Sequence, residues 1–136
     1  MDSAALSAPD QTLIDYAKAL IASLPENENH TVVAVARDMN GRLFEGLNLY
    51  HFTGGPCAEP VALAVAAAQQ AGALELIVAA GNRGRGVLAP CGRCRQILFD
   101  YHPSIAVLVS DGQQVRRLSI RELLPYTYDW HAEQGG

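Results

Sequence analysis

No apolar run in this chain approaches the roughly 20 residues that a membrane span needs. No N-terminal stretch reads as an export signal, because the first apolar, periodic region already carries Asp10, Asp15 and Lys18. There is no repeat, no low-complexity tract and no linker-like shift in composition. Charge is sparse, 18% of 136 residues, and no basic track runs through it: the formal charge is -4 and the pI about 5.4. That balance argues against nucleic acid or an anionic membrane as a partner. Cysteine is scarce too. Three residues cannot all pair within one chain. An odd count without an export signal suits a reducing cytoplasm, where thiols serve metal or chemistry. What remains is a single domain over residues 1–136, with 1–8 and 131–136 expected as flexible ends. About half the residues, 49%, are hydrophobic, enough for a real core.

The patterning predicts an α/β fold. Leu13, Ala17, Leu20, Ile21 and Leu24 fall at helical spacings over residues 9–24, with Pro9 and Asp10 suited to a first turn. TVVAVAR and RLFEGLNLY, separated by DMNG, read as an antiparallel hairpin over residues 31–50. An alanine-rich helix is expected over 57–71, ended by Gly72, then a buried strand over 73–80. Residues 81–90, GNRGRGVLAP, read as a flexible glycine-rich loop. A third helix is expected over 92–101, strands over 105–110 and QVRRLS, and one helical turn at RELLP. The tail TYDWHAEQGG shows no periodicity. Helices between apolar strands imply helical layers on both faces of a mixed sheet.

The chemistry concentrates in two short segments, TGGPCAEP at 53–60 and PCGRCRQ at 90–96. Cys57 begins one predicted helix, and Cys91 and Cys94 begin another in a C-x2-C turn. Helix N-termini favour thiolates. If the strands beneath lie side by side, three thiolates meet. Three protein ligands on zinc leave a fourth position open to water, which the metal acidifies. Glu59, two residues after Cys57, is placed to take a proton from that water and deliver it elsewhere. Plainer readings stand beside this one. The C-x2-C could be a redox pair. A structural zinc site would need a fourth ligand from His30, His51, His102 or His131, and none stands in a suitable spacing. Glu59 could be an ordinary first-turn carboxylate.

With GPCAE at 55–59, PCGRCRQ at 90–96 and RELLP at 121–125, the chain resembles the cytidine deaminase superfamily from about Leu13 to Trp130. NLYHFTGGPCAE, LAPCGRCRQILFDYHP and IRELLP are similar to the blasticidin S deaminase branch in particular. The resemblance implies a three-layer α-β-α sandwich around a five-stranded mixed sheet, a homotetramer, and one Zn2+ per chain on Cys57, Cys91 and Cys94. It implies Glu59 as the proton shuttle in hydrolysis at C4 of a cytosine ring, with ammonia released and Ala58 bordering the ring. The substrate implied is a free nucleoside or nucleoside analogue, foremost blasticidin S, with cytidine or deoxycytidine as the alternative.

The departures from ordinary cytidine deaminases are specific. Where those follow C-A-E with Arg, this chain has Pro60. Three thiolates on zinc carry a net negative charge, and Arg93, inside PCGRC, is the candidate donor to offset it. The ordinary ribose pattern N-x-E here reads Asn48, Leu49, Tyr50. Asn48 matches, while Tyr50 removes a carboxylate grip on sugar hydroxyls. By resemblance, Arg85 faces a sugar-borne carboxylate and Thr31 contacts substrate. By resemblance, Tyr128 matches the C-terminal aromatic that ordinary deaminases lay against the base from a neighbouring subunit, and Trp130 matches a second, substrate-binding tail aromatic of the blasticidin S deaminase branch.

Overall fold

The computed structural model describes residues 6–134. Helix α1 spans Ala8–Ser23, where Ser7 accepts the Asp10 N–H at 3.2 Å and Pro9 stands in the first turn. Strands β1 (Val32–Asp38) and β2 (Leu43–Leu47) form the expected antiparallel hairpin. Its turn carries Gly41 at φ 84°. The buried Asp38 carboxylate accepts N–H bonds from Asn40 and Arg42 across that turn and from Gly72.

Helix α2 spans Ala58–Ala68 and stops short of the expected residue 71. Gln70 takes the left-handed conformation at φ 57°, and the Ala71 N–H closes back on the Ala66 carbonyl. Gly72 is needed for a different reason. Its N–H serves Asp38, and a Cβ there would lie 3.0 Å from Asn40 Nδ2. Strand β3 (Leu74–Gly81) follows, buried almost throughout as its apolar run predicts.

The glycine-rich segment after it is not a loose loop. It folds back as β4 (Gly86–Leu88), antiparallel to β3. Arg83, Gly84 and Gly86 all adopt positive φ, so the glycines serve a tight reversal. Helix α3 (Gly92–Tyr101) occupies the predicted residues. Strand β5 (Ala106–Ser110) runs parallel to β3, and β6 (Val115–Ser119) returns antiparallel. A 3-10 turn, Ile120–Leu123, is held by reciprocal Ser119 and Glu122 capping bonds. The tail expected to lack order contains a short helix, α4 (Trp130–Glu133), capped by Asp129. Of the ends expected to be flexible, 1–5 and 135–136 lie outside the described residues, Ala8 opens α1, and 131–133 belong to α4.

The five-stranded path runs β2-β1-β3-β5-β6, with β4 added on β3. Strand alternation sends Val33, Val35, Leu76 and Val78 against Leu13, Ile14 and Ala17 of α1. Ala34, Ala36, Ile77 and Val107 face the other way, onto Ala62, Ala66, Leu98 and Phe99 of α2 and α3. The result is a three-layer α-β-α sandwich around a mixed sheet.

Candidate active site

The parallel alignment of β3 and β5 sets α2 and α3 on one sheet face, so their first turns lie together. Cys57 is the N-cap residue of α2 and Cys91 that of α3, both in extended backbone, with no side-chain cap bond from either. The three sulfurs of Cys57, Cys91 and Cys94 lie within 4.8 Å of one another, and Cys57 Sγ is 3.9 Å from Cys91 Sγ. Sulfurs at about 2.3 Å from a tetrahedral zinc sit roughly 3.8 Å apart, so the donor set suits that ion.

Its electrostatics call for a cation. Burial raises the Cys94 thiol, and the neighbouring Glu59 charge and the Cys91 and Cys57 thiols raise it further. Burial likewise raises Cys57. Cys91 alone is lowered: burial opposes ionisation there, but the Cys94 N–H, the two neighbouring thiols and the Arg93 N–H outweigh it. Three adjacent thiols resist joint ionisation, and a bound dication reverses that resistance. Glu59 is buried beside them at 6% exposure, and that burial raises its carboxyl against the lowering effect of its own N–H and of Cys94.

The two thiol-bearing turns are held by contacts that the motifs alone do not reveal. Leu49 donates to the Pro56 carbonyl at 3.0 Å, folding the pre-α2 loop onto the end of the hairpin. A Cβ on Gly55 would lie 1.8 Å from the Leu49 carbonyl oxygen, so glycine is required there. On the other side, Arg95 Nε donates to the Pro90 carbonyl at 2.9 Å and Nη1 to the Leu123 carbonyl at 3.2 Å. Arg95 thus ties the C-x2-C turn to the 3-10 segment. Its position right after Cys94 was the available signal, but the sequence does not show its partners.

A cleft of about 320 Å³ opens at the thiols, lined by Val32, Asn48, Leu49, Tyr50, Gly55, Pro56, Cys57, Ala58, Glu59, Ala79, Leu88, Ala89 and Cys91. It is the size of a small-molecule pocket. Among the residues singled out from sequence, Asn48, Tyr50, Cys57, Ala58, Glu59 and Cys91 line it. Cys94 closes the thiol cluster beneath. Thr31 and Arg85 are not among the residues that line the cleft, and Arg85 is exposed. Arg85 Nη2 donates to the Thr31 carbonyl at 2.8 Å and to Asn82 Oδ1 at 2.9 Å. Among the described residues no Lys or Arg lines the cleft. The Arg93 backbone N–H acts on Cys91, while its exposed guanidinium makes no hydrogen bond or ion pair among the described residues. Tyr128 and Trp130 are about half exposed and outside the cleft of their own chain. Gln96 holds that tail by donating to the Tyr128 carbonyl at 2.9 Å and accepting from Thr127 Oγ1 at 2.8 Å.

The chain is similar to known proteins. A family model described as "Cytidine and deoxycytidylate deaminase zinc-binding region" matches residues 7–110. The blasticidin-S deaminase of Bacillus cereus is 29% identical over 132 residues, spanning 90% of this chain and 94% of that protein. A cytidine deaminase structure from Burkholderia pseudomallei superposes with a TM-score of 0.70 at 32% identity, covering 87% of this chain and 98% of that one. The cytidine deaminase of Mycobacterium tuberculosis gives 0.68 at 27% identity, covering 88% and 97%.

Proposed function

This chain belongs to the cytidine and deoxycytidylate deaminase zinc-binding family, a zinc-dependent hydrolytic deaminase acting on a cytosine-ring nucleoside, and from that membership we propose that its substrate is cytidine or deoxycytidine. The observation that carries the reading is the meeting of Cys57, Cys91 and Cys94 with Glu59 at the floor of a small cleft. Cys57, Cys91 and Cys94 would hold one Zn2+ per chain, and the ion supplies Lewis-acid activation of water. Glu59 then takes the proton from the attacking water, delivers it to N3 of the ring, and assists departure of the C4 amine as ammonia. Ala58 borders the ring, Asn48 offers an N–H to the sugar, and the apolar wall of Val32, Ala79 and Leu88 excludes solvent.

Two observations favour the nucleoside over blasticidin S. The structural relatives at 27% and 32% identity are cytidine deaminases. Arg85, the residue expected to read a carboxylate, directs its Nε and Nη2 to Thr31 and Asn82, and among the described residues no Lys or Arg lines the cleft. The antibiotic remains a second reading, supported by the Bacillus cereus relative and by Tyr50 in place of a ribose-binding carboxylate. A homotetramer accords with an apolar groove of about 680 Å³ between the outer faces of α2 and α3, lined by Leu63, Ala64, Ala67, Ile97 and Tyr101.

Ammonia release from cytidine, deoxycytidine, cytosine and blasticidin S by zinc-loaded protein tests the reading, with Glu59→Gln as the control. Turnover of cytidine that drops at least about 10²-fold in the variant, at unchanged zinc content, is the expected result. Turnover of blasticidin S alone would transfer the conclusion to the second reading. Activity that survives in Glu59→Gln would remove the proton-shuttle assignment.

A further inference from the structure

We propose that Arg85 is a positioning residue that acts on the cleft through Thr31 and Asn48, a role that rests on the cleft being the nucleoside site. Asn48 uses most of its side-chain amide on its own fold. Its Oδ1 accepts the backbone N–H of Thr31 at 2.7 Å and of Val32 at 3.0 Å, and its Nδ2 donates to Thr31 Oγ1 at 3.3 Å. A primary amide carries two N–H donors, so one is left for the cleft that Asn48 lines. The aim of that donor depends on where the first residues of β1 stand. The Thr31 carbonyl is gripped from the opposite side by the Asn82 N–H at 2.9 Å and by Arg85 Nη2 at 2.8 Å. Arg85 is itself fixed by Asn82: Nη2 donates to Oδ1 at 2.9 Å and Nε to the carbonyl at 3.3 Å. It lies flat over Gly81, where a Cβ would come 2.8 Å from its Cζ. The turn between β3 and β4 therefore reaches the cleft by one continuous path, from Arg85 to the Thr31 peptide to the Asn48 amide. A cationic donor makes the link to the Thr31 carbonyl stronger than a neutral one would.

The test combines Arg85→Ala, Arg85→Lys, Asn48→Ala and the Arg85/Asn48 double alanine variant, with cytidine kinetics and amide hydrogen exchange. Arg85→Ala should raise KM about 3- to 10-fold, the scale of one hydrogen bond, with kcat within about twofold. Arg85→Lys, which keeps a cationic donor, should recover most of the loss. The double variant should be no worse than Asn48→Ala alone, because both act in one chain of contacts. Exchange at the Thr31 and Val32 amides should quicken in Arg85→Ala. Additive losses in KM, a loss confined to kcat, or unchanged exchange at those amides would each overturn the proposal. So would a loss seen only with the carboxylate-bearing blasticidin S, since Arg85 would then meet the ligand directly. Wild-type protein inert toward every cytosine nucleoside would defeat the functional reading, while the exchange measurement would still decide whether Arg85 holds Thr31 against Asn48.

Discussion

Gly46 of β2 lies against the backbone of Ala62 in α2, so closely that a Cβ on Gly46 would come 2.4 Å from the Ala62 nitrogen and 2.9 Å from the Ala58 carbonyl oxygen. The helix that presents Cys57, Ala58 and Glu59 thus meets β2 backbone to backbone at Gly46, beside the side-chain packing of Ala62, Leu63 and Ala66 on the sheet. This explains why Ala58, Ala62 and Ala66 mark the buried face of α2. Gly46→Ala should therefore push the start of α2 outward. The expected cost is about 1–3 kcal/mol of stability, the range for overpacking, read from urea unfolding. Because α2 carries part of the thiol cluster, zinc retention should weaken in parallel. Normal stability with normal zinc binding would show that the sheet yields instead.

The thiol cluster predicts a second outcome. Zinc analysis of purified protein should give one ion per chain, and Cys57→Ser, Cys91→Ser and Cys94→Ser should each reduce it sharply. Stringent chelation should abolish turnover and lower the melting temperature, since metal bound to the folded state stabilises it. Cys94→Ser should be the most disruptive of the three because Cys94 is buried, at 1% exposure. A chelated protein of full activity would remove zinc from the reaction.

How much of this was readable from the amino acids depends on the range of the interaction. Helices α1 and α3 were legible because their signals are local: Pro9 in a first turn, apolar residues at helical spacing, Pro103 just beyond Tyr101. The three thiols were legible as a cluster because the spacing of zinc ligands is tightly constrained. The end of α2 was misread because Gly72 looked like the terminator, while Asp38, distant in sequence, claims its N–H and the reversal falls to Gln70. Residues 81–90 were misread because glycines that permit a tight hairpin look the same in sequence as glycines that permit mobility. Arg85, Arg95 and Gln96 act on backbone carbonyls, at Thr31, Leu123 and Tyr128, and a carbonyl carries no sequence signature.

The apolar groove between α2 and α3 predicts association. Leu63, Ala64 and Ala67 border it with Ile97 and Tyr101, and Tyr101 is 72% exposed. Light scattering at micromolar concentration should give about four times the 14.6 kDa chain mass. Ala64→Glu should shift the mass downward by placing charge in that groove, and the melting temperature should become dependent on protein concentration. A wild-type monomer of full activity would count against both the oligomer and any tail contribution to a neighbouring cleft.

Stability should also fall at acid pH through Asp10, whose carboxylate is buried at 2% exposure in the first turn of α1. Arg117 of β6 reaches it at 2.9 Å and Arg37 of β1 at 3.3 Å, so one side chain pins the helix to two strands. Burial alone would raise the Asp10 carboxyl, but the hydrogen bonds and charges of Arg117 and Arg37 outweigh it and hold the group below its ordinary value. A folded pKa below the unfolded one, near 3.9, means that the unfolded chain binds protons more readily. The stabilisation is therefore complete above about pH 4 and is lost as pH falls through the folded value. Asp10→Asn should be less stable than wild type at neutral pH, since the two arginines lose their anion, and should show a shallower acid limb. Urea midpoints from about pH 2.5 to 7 measure both slopes. Parallel curves for the two proteins would mean that the acid response arises elsewhere, with Asp38 and its three backbone donors the next group to replace.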